Sequence, residues 1–225
     1  MPKINVYLPD DLADAVRAAG IPVSAVCQRA LEQAVRRVTA IRETVPADLD
    51  DAALAARLPH FTARARTVLR LAAERAALGV GTADLLAGIL AEGANLALHV
   101  LRAIDIEPAR AEAALAAAGG TPEPAGDPRR FTASAAAALE LAVTEATALG
   151  HNYVGCEHLL LGLIAEPDGA AGEALRSLGA EPRLARRAVT AALAGYVHLQ
   201  AQTPPLDAAL APLVERIERL EARLR

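Results

Sequence analysis

Leu149 to Ile164 reads LGHNYVGCEHLLLGLI, and the rest of the chain is organised around it. A polar and aromatic loop, His151-Asn152-Tyr153, is followed by Val154-Gly155, by Glu157-His158 and by a compact apolar run with one small residue inside, Leu159 to Ile164. The order predicts a helix end, a shaped loop, a helix start and a short buried helix. A weaker copy lies 74 residues earlier, where Gly81, Leu85, Leu86, Gly88, Glu92, Leu101, Glu107 and Pro108 match Gly155, Leu159, Leu160, Gly162, Glu166, Leu175, Glu181 and Pro182.

Upstream of each copy the match continues with an offset of 70. Phe61-Thr62-Ala63 recurs at Phe131-Thr132-Ala133, and Leu69, Leu71 and Ala72 recur at Leu139, Leu141 and Ala142. The change of offset is a shortened loop in the first copy, Leu78-Gly79-Val80-Gly81 against LGHNYVG. Such repetition means one supersecondary unit used twice. Each unit is predicted to hold four helices. In the second, Thr132 caps a helix that Gly150 ends; others run over about 156–166, about 169–178 and from Pro182, in a first turn, to near Tyr196. The domain boundaries expected are 61–118 and 131–196 for the repeats, with a flexible linker over 119–130, GGTPEPAGDPRR.

Composition agrees with a mainly α chain. Of 225 residues, 53% are apolar but only 2% aromatic, and alanine dominates, which suits closely packed helices. The net charge of −4 offers no global basic field for nucleic acid. The only lysine is Lys3, so no Gly-Lys-Ser/Thr phosphate loop exists in this sequence and a P-loop ATPase is excluded. Two distant cysteines, Cys27 and Cys156, and a polar strand-like opening without a signal peptide lead us to expect a cytoplasmic protein. No apolar run approaches the ~18 residues of a membrane span.

Residues 1–43 form a separate pattern. Lys3, Asn5 and Tyr7 alternate with Ile4, Val6 and Leu8, as in a half-buried strand. Pro9 ends it. Asp10 is placed to cap a helix over 11–19, and Ser24 a second running to about Arg42. A strand and two helices cannot bury their own faces alone and need a partner. KINVYLPDDL and the helical pattern after it resemble the ribbon-helix-helix family of bacterial repressors and antitoxins, in which two chains pair their strands and enter the major groove. That resemblance implies a homodimer and places Lys3, Asn5 and Tyr7 at base edges. The charge argues the other way: six basic residues stand against five acidic ones over 1–43, leaving few phosphate contacts. A dimerisation module without DNA is the other reading. Residues 44–60 are expected to be a weakly docked linker with a short helix beginning near Asp48. Over 206–225, Leu206, Leu210, Leu213, Ile217, Leu220 and Leu224 make the heptad seam of a C-terminal helix, suited to a dimer contact or to docking on the repeats.

The second copy, FTASAAAALELAVTEATALGHNYVGCEHLLLGLI continuing to LGAEPRLARRAV, is similar to the second repeat of the N-terminal domain of ClpC-type AAA+ unfoldases. The resemblance covers the second copy and, more weakly, the first. It implies a duplicated four-helix Clp N fold, eight helices about a pseudo-twofold axis. It also implies a non-catalytic domain that docks adaptors and substrates, so that a stand-alone Clp N protein is expected to be no enzyme and to need no cofactor. Some relatives hold phosphoarginine through the Glu of VGxEH. Glu157 fills that place, whereas Ala83 replaces the Glu in the first copy. Glu157 is equally an acid favoured by the dipole of a helix N-terminus. Relatives also bind cyclic peptide antibiotics in a groove between the repeats, and those positions fall on Leu58, Phe61, Arg66, Phe131, Leu139 and Glu140; Leu58 stands where the family has an aromatic. The resemblance thus implies peptides or cyclic peptides as ligands, and the unfoldase or its substrates as partners. His151, His158 and Cys156 match no zinc spacing, and no metal is expected.

Overall fold

A computed structural model describes residues 7, 9–44, 51–77, 79–118 and 130–202. Within these the chain is helical. A first pair, α1 (Asp10–Ala18) and α2 (Val23–Glu43), precedes a short α3 (Asp51–Arg57). Two sets of four follow: α4 (Ala63–Arg75), α5 (Thr82–Glu92), α6 (Leu96–Ala103) and α7 (Pro108–Ala118), then α8 (Ala133–Ala148), α9 (Cys156–Ala165), α10 (Ala170–Ser177) and α11 (Pro182–Gln202). The strand expected over 3–8 lies outside the described residues except for Tyr7, which is exposed. The 119–129 segment and the 206–225 helix also lie outside them.

The duplication is visible in the local chemistry. Thr62 and Thr132 cap α4 and α8 alike, each hydroxyl accepting from the backbone N–H three residues on, at 3.2 Å, which satisfies one orphan donor of the first turn. Gly150 turns the chain out of α8 with φ +76°, a conformation that favours glycine.

Helices α4 and α5 form one close pair, α8 and α9 the other. Both pairs rest on the small residue inside the apolar run. A Cβ at Gly88 would come within 2.6 Å of the Val68 carbonyl oxygen, and one at Gly162 within 2.8 Å of the Ala142 nitrogen. The two halves are laced together rather than merely stacked. Val154 donates to the His60 carbonyl at 2.7 Å and accepts from Thr62 at 3.0 Å; Val80 donates to the Arg130 carbonyl at 2.9 Å and accepts from Thr132 at 3.0 Å. The start of each repeat is thereby bridged to the loop of the other, Phe61 with Val154 and Val80 with Phe131. Helix α10 packs on α7 and α5, and α6 on α9 and α11, so the repeats share one core.

Four differences from the sequence expectations have physical causes. Helix α1 is capped by Pro9 and α2 by Pro22, neither with a side-chain cap bond; proline's fixed φ sets the turn that Asp10 and Ser24 were expected to cap. Helix α11 runs to Gln202, past Tyr196, since no Gly or Pro interrupts 196–202. The described end of the connector, 51–60, is docked: Leu54 and Leu58, one turn apart, are buried in the core together with Ile41 from the end of α2, and α2 packs on α8. By contrast the apolar positions of α1 and, among the described side chains of α2, Val26, Leu31 and Val35 find no cover within one chain. Helix α1 buries nothing, Leu31 is 51% exposed and Val35 63%.

Candidate functional site

The loop between α8 and α9 is shaped by three rings. His151 and Tyr153 stack with centroids 5.2 Å apart, and His158 meets both edge-on at 5.0 and 5.4 Å. His158 is fully buried. Its Nδ1 lies 2.9 Å from the Gly155 nitrogen and accepts that N–H. The ring proton is therefore on Nε2, which is assigned as donor to His151 Nδ1 at 2.8 Å. Burial, and secondarily the neighbouring His151, hold the His158 pKa down to about 4, so the imidazole is neutral at pH 7. In the first repeat the matching residue is Asp84, whose carboxylate accepts from the Gly81 N–H at 2.9 Å. His158 and Asp84 are thus equivalent acceptors, each reaching back from the third helical position to the N–H that precedes its helix.

Beside His158, Glu157 lies in the first turn of α9 and is only 5% exposed. Its carboxylate folds back over Gly155, where a Cβ would collide with it. Burial pushes the Glu157 pKa above the usual carboxylate range, against the pull of its own backbone N–H. His158 Nδ1 is 3.3 Å away, but that nitrogen is already an acceptor and gives no ion pair. Among the described residues no Arg or Lys pairs with Glu157.

Glu157 borders a cleft of about 510 Å³ with the starts of α4 (Thr62, Ala63, Arg64) and α6 (Asn95, Leu96, His99), Tyr153 and Leu193. Arg64 is tied at 2.6 Å to Glu92, which also accepts from Asn95 Nδ2 at 2.8 Å and from Ala94 at 3.1 Å. Burial would raise the Glu92 pKa, but the bonds from Asn95, Arg64 and Ala94 outweigh it and hold it below the usual range. Glu92 thus stays ionised and neutralises Arg64, leaving Glu157 as the unpaired acid of the cleft. In the other half, the place of Cys156 is taken by Thr82, whose hydroxyl accepts from the Ala171 N–H of α10 at 3.3 Å, and the place of Glu157 by Ala83. Of the two repeats, only the second carries an acid at this position.

The remaining expected site residues are more scattered. Leu58, Phe61 and Leu139 are buried, while Arg66, Phe131 and Glu140 are half-buried. Arg66 donates through Nη1 to the Phe61 carbonyl oxygen, so it fixes the turn leading into α4. Lys3 and Asn5 lie outside the described residues, and Tyr7 is exposed. Arg64, Asn95 and His99 were not singled out by the sequence. Asn95 carries a cap signal, since its carbonyl accepts from Leu98 at the start of α6; for Arg64 and His99 no local pattern exists.

Residues 130–225 match the Clp repeat (R) N-terminal domain family, and residues 2–44 match the post-segregation antitoxin CcdA family. Over 136 residues the chain is 43% identical to chaperone protein ClpC1, chloroplastic, of Oryza sativa subsp. japonica, covering 58% of this chain and 15% of the relative. Over 160 residues it is 36% identical to the negative regulator of genetic competence ClpC/MecB of Bacillus subtilis (strain 168), covering 66% of this chain and 20% of the relative. The chain thus spans a fifth or less of the length of these relatives. Among solved structures it matches the N-terminal domain of the caseinolytic protease associated chaperone ClpD from Arabidopsis thaliana at 25% identity and TM-score 0.48, covering 60% of this chain and 96% of that one.

Proposed function

We propose that this chain, whose residues 130–225 match the Clp repeat (R) N-terminal domain family, is a non-enzymatic, cytoplasmic and dimeric protein that recognises peptides carrying a guanidinium-type group, phosphoarginine-marked peptides foremost. One observation carries this reading. Glu157 is a buried carboxylate on an open cleft, pushed toward its neutral form by burial and, among the described residues, without a cation. A guanidinium entering the cleft supplies the missing charge through paired N–H donors.

The cyclic-peptide groove is the less favoured site. Leu58, Phe61 and Leu139 are already buried, so a ligand reaching them has to displace protein, whereas the Glu157 cleft is open. The bound peptide acts in a sensor or decoy: the CcdA-like segment over 2–44 supplies a dimeric module, with Lys3, Asn5 and Tyr7 toward DNA, whose occupancy responds to ligand. The alternative is an adaptor that hands substrates to a ClpC-type unfoldase, favoured by the resemblance to ClpC proteins. Calorimetric titration of the full chain with phosphoarginine tests the reading. Saturable binding supports it, and no heat at millimolar ligand refutes it. A gel shift on the chain's own upstream DNA separates sensor from decoy, and substrate turnover by the unfoldase, faster or slower, separates adaptor from decoy.

A further inference from the structure

Gly155 precedes α9 with φ −100° and ψ 178°, an extended backbone that any residue adopts. Conformation therefore does not call for glycine here, but space does. The three atoms nearest to a Cβ on Gly155 would be the carboxyl carbon of Glu157, at 2.7 Å, and its two oxygens, closer still. They are the far end of a flexible side chain, so an added methyl group displaces them and not the backbone. The equivalent Gly81 is extended as well, with φ −90° and ψ 175°. There Ala83 stands in place of the acid, and a Cβ would meet Asp84 Oδ2 at an ordinary 3.6 Å. The Glu157 carboxylate thus lies in the hollow left by the missing Gly155 side chain. Its side chain is 7% exposed, and its own backbone N–H holds it. A guanidinium fork pairs with both carboxylate oxygens at once, and in this pose both are turned onto Gly155.

We propose that Gly155 is a positioning residue that lets Glu157 retract from the cleft, so that a guanidinium-bearing peptide binds only after the carboxylate has swung out. The retraction concerns the same cleft and rests on its reading as a guanidinium site. Apparent affinity is then lowered by the fraction of chains whose carboxylate is out. The retracted place also favours the proton-bearing acid, since burial raises the Glu157 pKa; swung out, the acid ionises in the ordinary carboxylate range. On its own helix Glu157 has Cys156 and His158 as neighbours. Tyr153 from the loop, His99 from α6 and Arg64 from α4, the last bound by Glu92 at the end of α5, are the other titratable groups at the cleft.

The test joins carbon-13 NMR of the Glu157 carboxyl to calorimetric titration with a phosphoarginine peptide, on the full chain, on Gly155→Ala and on Gly81→Ala as control. Alanine keeps the N–H that His158 Nδ1 accepts. Without ligand, Glu157 of the unaltered chain should titrate above the ordinary value of about 4.3, and that of Gly155→Ala nearer to it. Gly155→Ala should bind the peptide about three- to ten-fold more tightly, and Gly81→Ala as the unaltered chain does. The gain should vanish when Gly155→Ala is combined with Glu157→Gln, as it must if Gly155 acts through Glu157. An ordinary Glu157 midpoint in the unaltered chain overturns the proposal without any variant. An unchanged midpoint in Gly155→Ala, equal or weaker binding by it, a like gain in Gly81→Ala, or a gain that survives Glu157→Gln overturns it too. If the midpoint falls as expected while none of the proteins binds the peptide at millimolar concentration, the guanidinium reading of the cleft fails, and the role of Gly155 in binding fails with it.

Discussion

Gly162 lies directly against Ala138: a Cβ added to Gly162 would run into the Ala138 carbonyl oxygen and come within 2.8 Å of the Ala142 nitrogen. Both obstacles are backbone, so neither can move without shifting α8. Gly162→Ala is expected to destabilise the chain by about 1–3 kcal/mol through overpacking. Gly195 is the control. It sits in α11 with nothing within 4 Å of an added Cβ, and Gly195→Ala should stabilise by roughly 0.5–1 kcal/mol through helix propensity. Urea unfolding of both variants checks the pair; equal stability would contradict the packing described.

The acid limb of stability should carry the signature of His158. Its pKa falls from 6.5 to about 4 on folding. The unfolded chain takes up the proton first, so stability is lost as pH falls from about 6.5 toward 4, by up to ~3 kcal/mol at 1.36 kcal/mol per unit. Glu157, with its folded pKa raised, acts with the opposite sign: the native state takes up its proton first and gains stability as pH falls. His158→Asn keeps an acceptor for the Gly155 N–H, as Asp84 does for Gly81. It should flatten the loss between pH 6.5 and 4, whereas Glu157→Gln should steepen it. Unfolding free energies across that window decide; identical slopes in all three proteins would exclude a buried neutral His158.

Cys156 is buried, and its thiol is pushed up to about 12, chiefly by that burial and then by Glu157 and Glu92. Cys27 is only partly buried. The thiolate is the reactive form, so native protein at pH 8 should be alkylated by iodoacetamide at Cys27 alone, and at both positions once unfolded in urea. Mass spectrometry of the peptides reads this directly, and comparable native rates at the two cysteines would be inconsistent with the structure.

Leu31 and Val35, on one face of α2, are more than half exposed in the single chain. Such a face calls for a partner, and a second copy is the occupant proposed. Val35→Glu should turn a dimer into a monomer in light scattering while leaving the repeat domain folded. A monomeric unaltered chain at micromolar concentration would rule the dimer out.

The repeats were legible because their periodicity, their Phe-Thr-Ala starts and the glycines inside the apolar runs are local and occur twice. The caps at Thr132 and the stop at Gly150 followed from residue chemistry alone. The lacing was not legible. Phe61 pairs with Val154 through backbone groups, which leave no mark in side-chain pattern. His158 invited a chemical role from its company of His151, Cys156 and Glu157, yet its Nδ1 serves the Gly155 N–H. The clue lay in the alignment of His158 with Asp84, two acceptors at one position of a repeated unit. Of the cleft, the sequence offered Glu157, but Arg64, Asn95 and His99 arrive from helices whose arrangement only the fold determines.

Glu157 is proposed as the carboxylate on which a guanidinium-bearing peptide is recognised. Calorimetric titration of a phosphoarginine peptide into the unaltered chain and into Glu157→Gln tests it most directly. Saturable binding to the first is predicted, with at least ten-fold weaker binding to the second, in line with the loss of a charge-assisted pair of about 1.5–3 kcal/mol. Equal affinity of the two proteins for the phosphoarginine peptide would contradict it.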